Sequence, residues 1–385
     1  MFVGGFTTFA LLYGTQPMLP LFSAAFDVSP ARASLTVSAA TGALALSLIP
    51  ASVLADRVGR VPVMRSALAL AALLSIAAAA VNDFNQLVVL RALLGIALAG
   101  LPAAAMAYLG EEVAPNAQGR AMGLYIAGNA LGGMSGRILA ASLSEWGSWR
   151  TALAVLGALG VIAAAIFWKR LPPSMHFRPR AAAPGRILRD ARHLLADGGM
   201  PLLFLTAFLA MGAFVGLYNY LSFHLAEAPF RLGQSAIGAI FLLYLTGTWA
   251  SAWAGLLADR HGRRNVLWIM VAVMLAGLAL TLSSHLALVV CAVGIFTFGF
   301  FATHSLASGW VGQRAREQRA LGAALYLSSY YLGSSVLGSL SGMAWSAGGW
   351  PAVVAVLGAC VLATFAIARR LRRLAPQEAV PASRA

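Results

Sequence analysis

Long apolar runs separated by short polar turns recur along the whole chain. About twenty apolar residues suffice for a helix to cross the hydrocarbon core of a bilayer, and about twelve runs reach that length. The first run contains two prolines and lacks a basic start, so we interpret it as a retained span and not as a signal peptide. The pattern predicts an all-α membrane protein with 12 transmembrane helices. The predicted spans are 2–24, 32–54, 62–81, 86–109, 119–143, 149–170, 199–223, 235–257, 265–284, 286–310, 319–344 and 349–369.

One connection differs from the others in length and composition. Residues 171–198 are rich in proline and then form a basic amphipathic stretch, which is the pattern of a linker lying on a membrane surface. The linker divides the chain into an N-terminal six-helix bundle, 1–170, and a C-terminal six-helix bundle, 199–370. Residues 371–385 are predicted to form a tail.

The two predicted bundles share short sequences at a nearly constant spacing. "RAMG" at 120–123 corresponds to "RALG" at 319–322, and "AVLGA" occurs at 154–158 and again at 355–359. A parallel repeat of this kind is typical of transporters whose two halves enclose the substrate site. The repeat therefore predicts two pseudo-symmetric bundles with a site between them.

Charged residues make up only 10% of the chain, whereas 60% of its residues are hydrophobic. The net charge of +15 would suggest nucleic-acid binding in a soluble protein, but these cations lie in short loops between spans. The expected partner is therefore the lipid bilayer, and no nucleic acid is expected. Of the 27 Lys and Arg residues, 22 fall on one side of the predicted spans, and only Arg32, Arg150 and Arg231 fall on the other. This asymmetry predicts that both termini are cytoplasmic.

A small charged motif occurs at equivalent places in the two bundles, as "SVLADRVGRV" at 52–61 and "GLLADRHGRR" at 255–264. With "LRALLGIALAG" at 90–100, these motifs identify a resemblance to the major facilitator superfamily over essentially the whole chain. The second copy of the charged motif matches the superfamily pattern fully. The first copy departs from it at Ser52 and Val61.

A further segment, "GNALGGMSGR" at 128–137, looks like a variant of the superfamily's antiporter motif, with Gly133 where Pro is usual and Arg137 where Gly is usual. With "YGTQPMLPLF", "YNYLSFHL" and "THSLASGWVG", the chain is similar to the arabinose-efflux-permease-like branch of the drug:proton antiporter group. The resemblance implies export across the bacterial inner (plasma) membrane. It also implies that spans one, four, seven and ten line the cavity.

The resemblance further implies a cytoplasmic gate built on the duplicated motif. Asp56 is expected to meet the start of span eleven near Arg319, and Asp259 with Arg260 to meet the start of span five near Arg120. Arg57 and Arg60 are candidates to pair with glutamates at the end of span four, while the motif glycines allow a tight turn. The alternative is that these charges only set the topology. The predicted gate comprises Asp56, Arg57, Gly59, Arg60, Glu111, Glu112, Arg120, Asp259, Arg260, Gly262, Arg263 and Arg319.

Two arginines, Arg91 and Arg137, fall inside predicted spans. An arginine within a span is costly unless it faces a cavity or a partner, so both are predicted to line the outer half of the cavity and to attract anionic groups. The alternative is that they extend to the membrane surface. For the tyrosines, interfacial anchoring is the alternative. The candidate cavity residues are Tyr13, Gln16, Arg91, Asn129, Arg137, Tyr218, Asn219, Tyr220, His304 and Tyr330.

No carboxylate lies well inside a predicted span, which argues against a cationic drug as the substrate. His304 is the histidine placed deep in a span, and the usual pKa of histidine suits proton exchange. His224 with Glu227, at the outer end of span seven, is a second candidate for proton coupling. The alternative for each histidine is a structural role among neighbouring helices.

These patterns predict a secondary active transporter that exports a small organic solute by alternating access, with protons as the coupling ion. A passive facilitator or an importer of the same fold is the alternative, and a membrane-embedded enzyme or a non-transporting sensor is more remote. The sequence has no paired carboxylates within spans and no metal-type His/Cys spacing, and Cys291 and Cys360 lie in apolar runs. We therefore expect no enzyme activity, cofactor or metal, and a monomer.

Overall fold

The computed structural model describes residues 1–177, 179, 184–315 and 318–374, and the regular elements within this part of the chain are helical. Two short 3-10 turns, Gln16–Met18 and Ile240–Leu243, follow the first and twelfth helices. The helices are α1 (Phe2–Tyr13), α2 (Leu19–Phe26), α3 (Pro30–Ala33), α4 (Leu35–Val58), α5 (Arg60–Ala79), α6 (Phe84–Leu98), α7 (Gly100–Glu112), α8 (Pro115–Trp146), α9 (Trp149–Arg170), α10 (Pro184–Ala196), α11 (Met200–Ala226), α12 (Gln234–Ala239), α13 (Tyr244–His261), α14 (Arg263–Leu280), α15 (Leu286–Arg314) and α16 (Arg319–Arg372).

Most of these helices are long and apolar enough to cross a membrane. Within the described residues, nine segments meet this criterion by length and composition. One of them, α16, has 54 residues and breaks at Gly348 and Gly349, so it supplies two spans. The broken pair α1–α2 and the more polar helix α8 complete the twelve. The predicted all-α fold with 12 transmembrane helices is confirmed.

We number the spans one to twelve in chain order. Spans one, two, four and eight each join two helices end to end, namely α1–α2, α3–α4, α6–α7 and α12–α13. Helix α10 lies between spans six and seven, within the predicted linker.

The local sequence explains where several helices begin and end. The Asp83 carboxylate accepts hydrogen bonds from the backbone N–H groups of Asn85 and Gln86, at 2.9 and 3.0 Å, and so caps the start of α6. Gly59 ends α4 with φ of +109°, and Gly262 ends α13 with φ of +80°. Both values lie in the left-handed region that glycine adopts at little cost. The duplicated charged motif is therefore the turn that joins spans two and three, and again spans eight and nine.

Glycines allow pairs of spans to approach closely at equivalent places in the two halves. A Cβ atom on Gly132 of span five would lie 2.0 Å from the carbonyl oxygen of Phe6 in span one. A Cβ atom on Gly333 of span eleven would lie 1.9 Å from the carbonyl oxygen of Phe208 in span seven. Small residues favour helix association in membranes because they bring backbones into contact. The repeat therefore preserves a packing contact as well as a charged turn.

Replacing Gly132 with alanine is expected to lower the melting temperature of the purified protein, because the new methyl group collides with the Phe6 backbone. Overpacking of this kind costs about 1–3 kcal/mol. Gly123→Ala is the matched control on the same span, since a Cβ atom there meets nothing within 4 Å. Tryptophan fluorescence during heating in detergent measures both. A Gly132→Ala protein that melts with or above the wild type would contradict the close packing of spans one and five.

The two halves meet at the end of the bundle where spans two and eight begin. We call this the outer end and the opposite one the inner end, following the orientation that the positive charges predict. Ser339 Oγ donates to Ser38 Oγ at 2.7 Å, and Ser335 Oγ donates to the Ser38 carbonyl oxygen, also at 2.7 Å. Deeper in the bundle, Ser328 Oγ donates to the Ala45 carbonyl oxygen at 3.2 Å. Small polar residues therefore join span two to span eleven.

A carboxylate provides a second contact between the halves at the outer end. Glu145, at the end of span five, accepts a hydrogen bond of 2.5 Å from the backbone N–H of Ser235 at the start of span eight. Hydrogen bonding to Ser235 lowers the pKa of the Glu145 carboxyl, so the carboxylate is ionised at neutral pH. At the inner end, no hydrogen bond or ion pair joins the described residues of spans one to six to those of spans seven to twelve. Among the described residues, the polar contacts between the halves therefore lie at the outer end and in the bundle interior, and none lies at the inner end.

Candidate functional site

A buried polar chain connects the two halves beneath the outer contacts. Arg137 of span five, only 2% exposed, donates from Nε to Gln16 Oε1 at 2.6 Å and from Nη1 to the Gly133 carbonyl oxygen at 2.6 Å. Gln16 lies in the 3-10 turn that interrupts span one, and its Nε2 donates to Asn219 Oδ1 of span seven at 2.8 Å. The break in span one thus allows Gln16 to bridge span five and span seven.

Aromatic rings surround the Arg137 guanidinium. Its Cζ atom lies 4.4 Å from the ring centroid of Tyr13, 4.9 Å from that of Tyr244 and 5.2 Å from that of Phe241. These distances allow cation–π attraction, which strengthens where water is excluded. No carboxylate among the described residues forms an ion pair or a hydrogen bond with Arg137. The guanidinium is therefore a buried cation that rings stabilise and no described acid neutralises.

The aromatic surface continues from Arg137 into the second half. Phe214 of span seven stacks on Phe300 of span ten with centroids 3.8 Å apart, and Phe214 lies 5.5 Å from Tyr244. The Tyr330 ring of span eleven lies 6.3 Å from Phe300 and 4.7 Å from His304. The structure thus collects rings from spans one, seven, eight, ten and eleven around one region between the halves. We call it the aromatic chamber. Its members are Tyr13, Phe214, Tyr218, Phe241, Tyr244, Phe300, His304 and Tyr330.

His304 lies at the inner side of this cluster, next to a second tyrosine. Its Nδ1 lies 3.0 Å from the hydroxyl of Tyr326 in span eleven. Tyr218, on the other side of the chamber, shares a hydrogen bond of 2.8 Å with the Thr297 hydroxyl of span ten. Ring nitrogens and hydroxyls that exchange donor and acceptor roles are suited to moving a proton.

Seven predicted cavity residues thus belong to this connected network. Tyr13, Arg137, Tyr218, His304 and Tyr330 belong to the ring cluster or contact it directly, and Gln16 and Asn219 extend it. Sequence reasoning missed Phe214, Phe241, Tyr244 and Phe300. Phe241 and Tyr244 are three residues apart near the outer end of span eight, so the sequence places both rings on one face of that span. This spacing was the signal that could have identified them.

Arg91 was expected to line the cavity, and the structure places it elsewhere. The side chain is 1% exposed and donates to the carbonyl oxygens of Thr36 at 2.7 Å, Leu11 at 2.9 Å and Leu12. The last two carbonyls lie just before the break in span one, where regular helical hydrogen bonding is interrupted. Arg91 therefore pairs with backbone oxygens of spans one and two, and its side chain does not belong to the polar network of Arg137.

Tyr220 and Asn129 lie outside the aromatic chamber. Tyr220 packs at the outer end, with its ring 6.2 Å from that of Trp345 and its hydroxyl 3.5 Å from the Ser339 carbonyl oxygen. Asn129 is two helical turns inward from Arg137 on span five. Its buried Oδ1 has no hydrogen-bond partner among the described residues. Asn129 therefore stays a candidate for contact with a solute, while Tyr220 belongs to the outer closure.

The second proposed proton pair is not assembled. His224 stacks on Trp350 with centroids 4.8 Å apart and rings 4° from parallel. Glu227 is exposed beyond the end of span seven, and no ion pair with His224 is present among the described residues. This geometry favours a packing role for His224.

The gate motif of the first half forms a compact network. Arg60 contacts the Asp56 carboxylate and donates to Glu111 Oε1 at 3.0 Å, so the expected pairing of Arg60 with Glu111 is present. Glu112 has a different role, because it accepts hydrogen bonds of 3.0 Å from the backbone N–H groups of Met175 and His176. Glu112 thus attaches the start of the linker to the first half.

The expected contacts between the motifs and the opposite half are absent from this arrangement. Asp259, Arg260, Arg120 and Arg319 are exposed at the inner end, as is Arg57, and they form no described contact across the halves. In this arrangement the described hydrogen bonds between spans two and eleven are made by Ser34, Ser38 and Ala45, and none involves the inner ends of these spans. Arg263 packs within the second half, with its Nη1 atom 2.7 Å from where a Cβ atom on Gly309 would lie. The described residues also contain no group of three or more His, Cys, Asp or Glu that could hold a metal ion.

Comparisons with known proteins agree with this architecture. The family model described as Major Facilitator Superfamily matches residues 1–250 and 227–385. The inner membrane transport protein YnfM of Escherichia coli (strain K12) is 42% identical over 373 residues, covering 97% of this chain and 89% of the relative. An uncharacterized MFS-type transporter, YybF of Bacillus subtilis (strain 168), is 41% identical over 356 residues, covering 92% of this chain and 88% of the relative.

A more distant relative and one solved structure complete the comparison. A 3-(3-hydroxy-phenyl)propionate transporter of Escherichia coli (strain K12) is 29% identical over 269 residues, covering 67% of this chain and 64% of the relative. The crystal structure of a bacterial homolog of the human lysosomal transporter Spinster, inward-facing and occupied, superposes with a TM-score of 0.78 at 16% identity. It covers 96% of this chain and 94% of its own. With a family model and two close relatives that match nearly its whole length, the chain belongs to the major facilitator superfamily.

Proposed function

We propose that this transporter exports a small organic solute by alternating access and that inward proton flow drives the export. One observation carries the proposal: a buried site of polar and aromatic side chains lies between two halves whose described hydrogen bonds to each other lie at the outer end and at the site itself. In a rocking mechanism, such a site opens to one side at a time. The proposed location is the bacterial inner membrane with both termini cytoplasmic, and the proposed working unit is a monomer.

The rocking step exchanges one set of contacts for another. Opening the outer end breaks the Ser38–Ser339 and Glu145–Ser235 contacts. Closing the inner end would bring Asp56 to the start of span eleven, near Arg319, and Asp259 to the start of span five. A carboxylate at a helix start gains about 0.3–1 kcal/mol from the helix dipole, which is weak enough to be reversed in every cycle. Both arrangements are therefore accessible to one chain.

His304 is the proposed proton carrier. It lies in the network that also contains Arg137, through Tyr330, Phe300, Phe214 and Tyr244, so protonation can influence the solute site. Protonated His304 would add a second cation to a region that already holds Arg137. Proton binding and solute binding are therefore linked, which coupled transport requires, and the response to an imposed pH gradient decides whether the two flows run in opposite directions or together.

The function is tested in proteoliposomes after a thermal-shift screen of organic anions, sugars and lipophilic drugs has identified a stabilising compound. If export is coupled to protons, an imposed pH gradient should accelerate movement of that compound. Addition of the compound should in turn move protons, which a pH-sensitive dye inside the liposomes detects. Protein-free liposomes correct for permeation. Transport that ignores the gradient would instead identify a passive facilitator.

Replacing His304 with glutamine is expected to uncouple the two flows. The side chain keeps its hydrogen-bonding capacity but cannot take up a proton. Counterflow of the identified compound should remain within about two- to threefold of the wild type, whereas acceleration by the pH gradient should be lost, a difference that a coupling free energy of about 1–3 kcal/mol produces. His224→Gln is the matched control and should keep the acceleration. Normal coupling in His304→Gln would remove this residue from the proton path.

A further inference from the structure

We propose that the transported solute is an aromatic monocarboxylate, whose carboxylate pairs with Arg137 and whose ring enters the aromatic chamber. This proposal rests on the proposed function, because it names the substrate class of the same site. Four observations carry it: the unneutralised cation, its free donors, two unpartnered hydroxyl groups and the rings around them.

The positive charge of the site favours binding of an anion. Arg137 is 2% exposed, and no acid among the described residues pairs with it. A buried charge without a counter-ion is costly, so an anion that enters the site replaces lost hydration with direct pairing. A cationic solute would be repelled by the same group. The site therefore selects for negative charge.

The free donors of Arg137 fit a carboxylate. Nε donates to Gln16 and Nη1 to the Gly133 carbonyl oxygen, and no hydrogen bond from Nη2 to the described residues is present. A guanidinium presents its N–H groups in one plane, which matches the two oxygens of a carboxylate. Since Arg91 is 1% exposed and donates to three backbone carbonyl oxygens outside the aromatic chamber, Arg137 is the arginine at this site, and a solute with a single negative charge matches it.

Two hydroxyl groups beside Arg137 have no partner. The Tyr13 and Tyr244 rings both contact the guanidinium, the residues are 2% and 6% exposed, and their hydroxyl groups make no hydrogen bond of normal geometry to the described residues; the Ser334 hydroxyl of span eleven is the polar neighbour of Tyr13. Buried hydroxyl groups are normally paired, because desolvation without a partner costs free energy. A carboxylate bound to Arg137 would offer acceptor oxygens near both. These tyrosines are therefore proposed to donate to the solute.

The side chains next to this cation are mostly aromatic rings that stack on one another. Phe214 and Phe300 stack at 3.8 Å, and Tyr218 lies 5.1 Å from Phe241 in a second stacked pair. Aromatic pairs gain about 0.5–1.5 kcal/mol beyond the burial of their area, so such a chamber favours an aromatic solute over an aliphatic one. A sugar would instead require a dense set of polar partners. The printed name of the 29% identical relative, a 3-(3-hydroxy-phenyl)propionate transporter, gives a solute of the same chemical class.

The test measures binding, so it is independent of transport. Purified full-length protein in detergent is titrated calorimetrically with 3-phenylpropionate, with its uncharged analogue 3-phenylpropionamide and with the aliphatic acid hexanoate. We expect 3-phenylpropionate to bind at least tenfold more tightly than either comparison compound. Arg137→Gln should remove the preference for the acid over the amide, while Arg32→Gln, which removes an exposed cation at the outer end, should keep it.

Two milder variants cover the case in which Arg137→Gln fails to fold. Tyr13→Phe and Tyr244→Phe keep the rings and delete only the hydroxyl groups. Each should weaken binding of 3-phenylpropionate severalfold and leave binding of the amide unchanged. Equal effects on both compounds would contradict a role in carboxylate recognition.

The outcomes separate the two proposals. If 3-phenylpropionate does not bind while a sugar or a lipophilic cation does, the substrate class is wrong, and proton-coupled transport is then examined with the compound that binds. If 3-phenylpropionate binds as expected but moves no protons in proteoliposomes, the substrate class stands and the proposed coupling fails. Equal affinity for the acid and the amide in the wild type would overturn the role of Arg137.

Discussion

Joining the two halves by a disulfide at the outer end is expected to reduce transport more than tenfold. The Ser38 and Ser339 hydroxyl oxygens are 2.7 Å apart, so cysteines at both positions can approach disulfide geometry. The covalent bond prevents the outer opening that alternating access requires. The double variant is made after Cys291 and Cys360 have been replaced with alanine. Counterflow of radiolabelled 3-phenylpropionate is then measured before oxidation, after oxidation and after reduction.

The matched control is a cysteine pair at the inner end, Asp56→Cys with Arg319→Cys. These residues do not meet in the outer-closed arrangement, so they should cross-link only when the protein visits the opposite state. Combining both pairs gives the strictest form of the test, because the outer disulfide should then suppress the inner one. A protein shown to be fully cross-linked between Ser38→Cys and Ser339→Cys that still exchanges solute at the original rate would refute the rocking mechanism.

Replacing Arg91 with alanine is expected to cause the largest loss of stability among the single variants described. The change leaves three carbonyl oxygens, on Thr36, Leu11 and Leu12, without their donor. Hydrogen bonds between membrane helices contribute about 0.6 kcal/mol on average and about 1.7 at most, so three of them amount to roughly 2–5 kcal/mol. Size-exclusion profiles and melting temperatures in detergent measure the effect. Arg91→Lys should recover part of the stability.

Arg137→Gln is the informative comparison for Arg91. It should fold with a melting temperature near that of the wild type, because Gln retains hydrogen-bonding groups and the rings remain packed. The expected pattern is a stability defect for Arg91 and a binding defect for Arg137. A stable Arg91→Ala protein that fails only to bind 3-phenylpropionate would show that Arg91 belongs to the solute site after all.

These two arginines mark the limit of what the sequence could predict about the site. Each is a cation in the outer half of an apolar span, and the pattern of apolar residues around them predicts the same role, contact with the cavity, for both. What separates them is the position of span one. Its break places carbonyl oxygens against Arg91 and places Gln16 against Arg137. A contact between residues more than seventy positions apart has no signature in the local pattern.

The aromatic chamber was only partly predictable for a related reason. Tyr13, Tyr218 and Tyr330 stand out because a hydroxyl group is unusual in an apolar run. Phe214 and Phe300 resemble any other apolar residue of a span, and only the crossing of spans seven and ten brings their rings together. The gate residues show a different limit, because the proposed contacts across the halves belong to an arrangement other than the one in this structure.

The sequence by itself determined the twelve-span fold, the duplication and the charged turns. The sequence determines these features directly, because each apolar run in a bilayer must pair its backbone N–H and C=O groups within a helix long enough to cross the hydrocarbon core. The tertiary structure alone decided which buried arginine pairs with backbone carbonyl oxygens, which one lies among aromatic rings, and at which end of the bundle the halves are hydrogen-bonded. Those outcomes depend on how broken helices cross, and packing between distant segments sets that geometry.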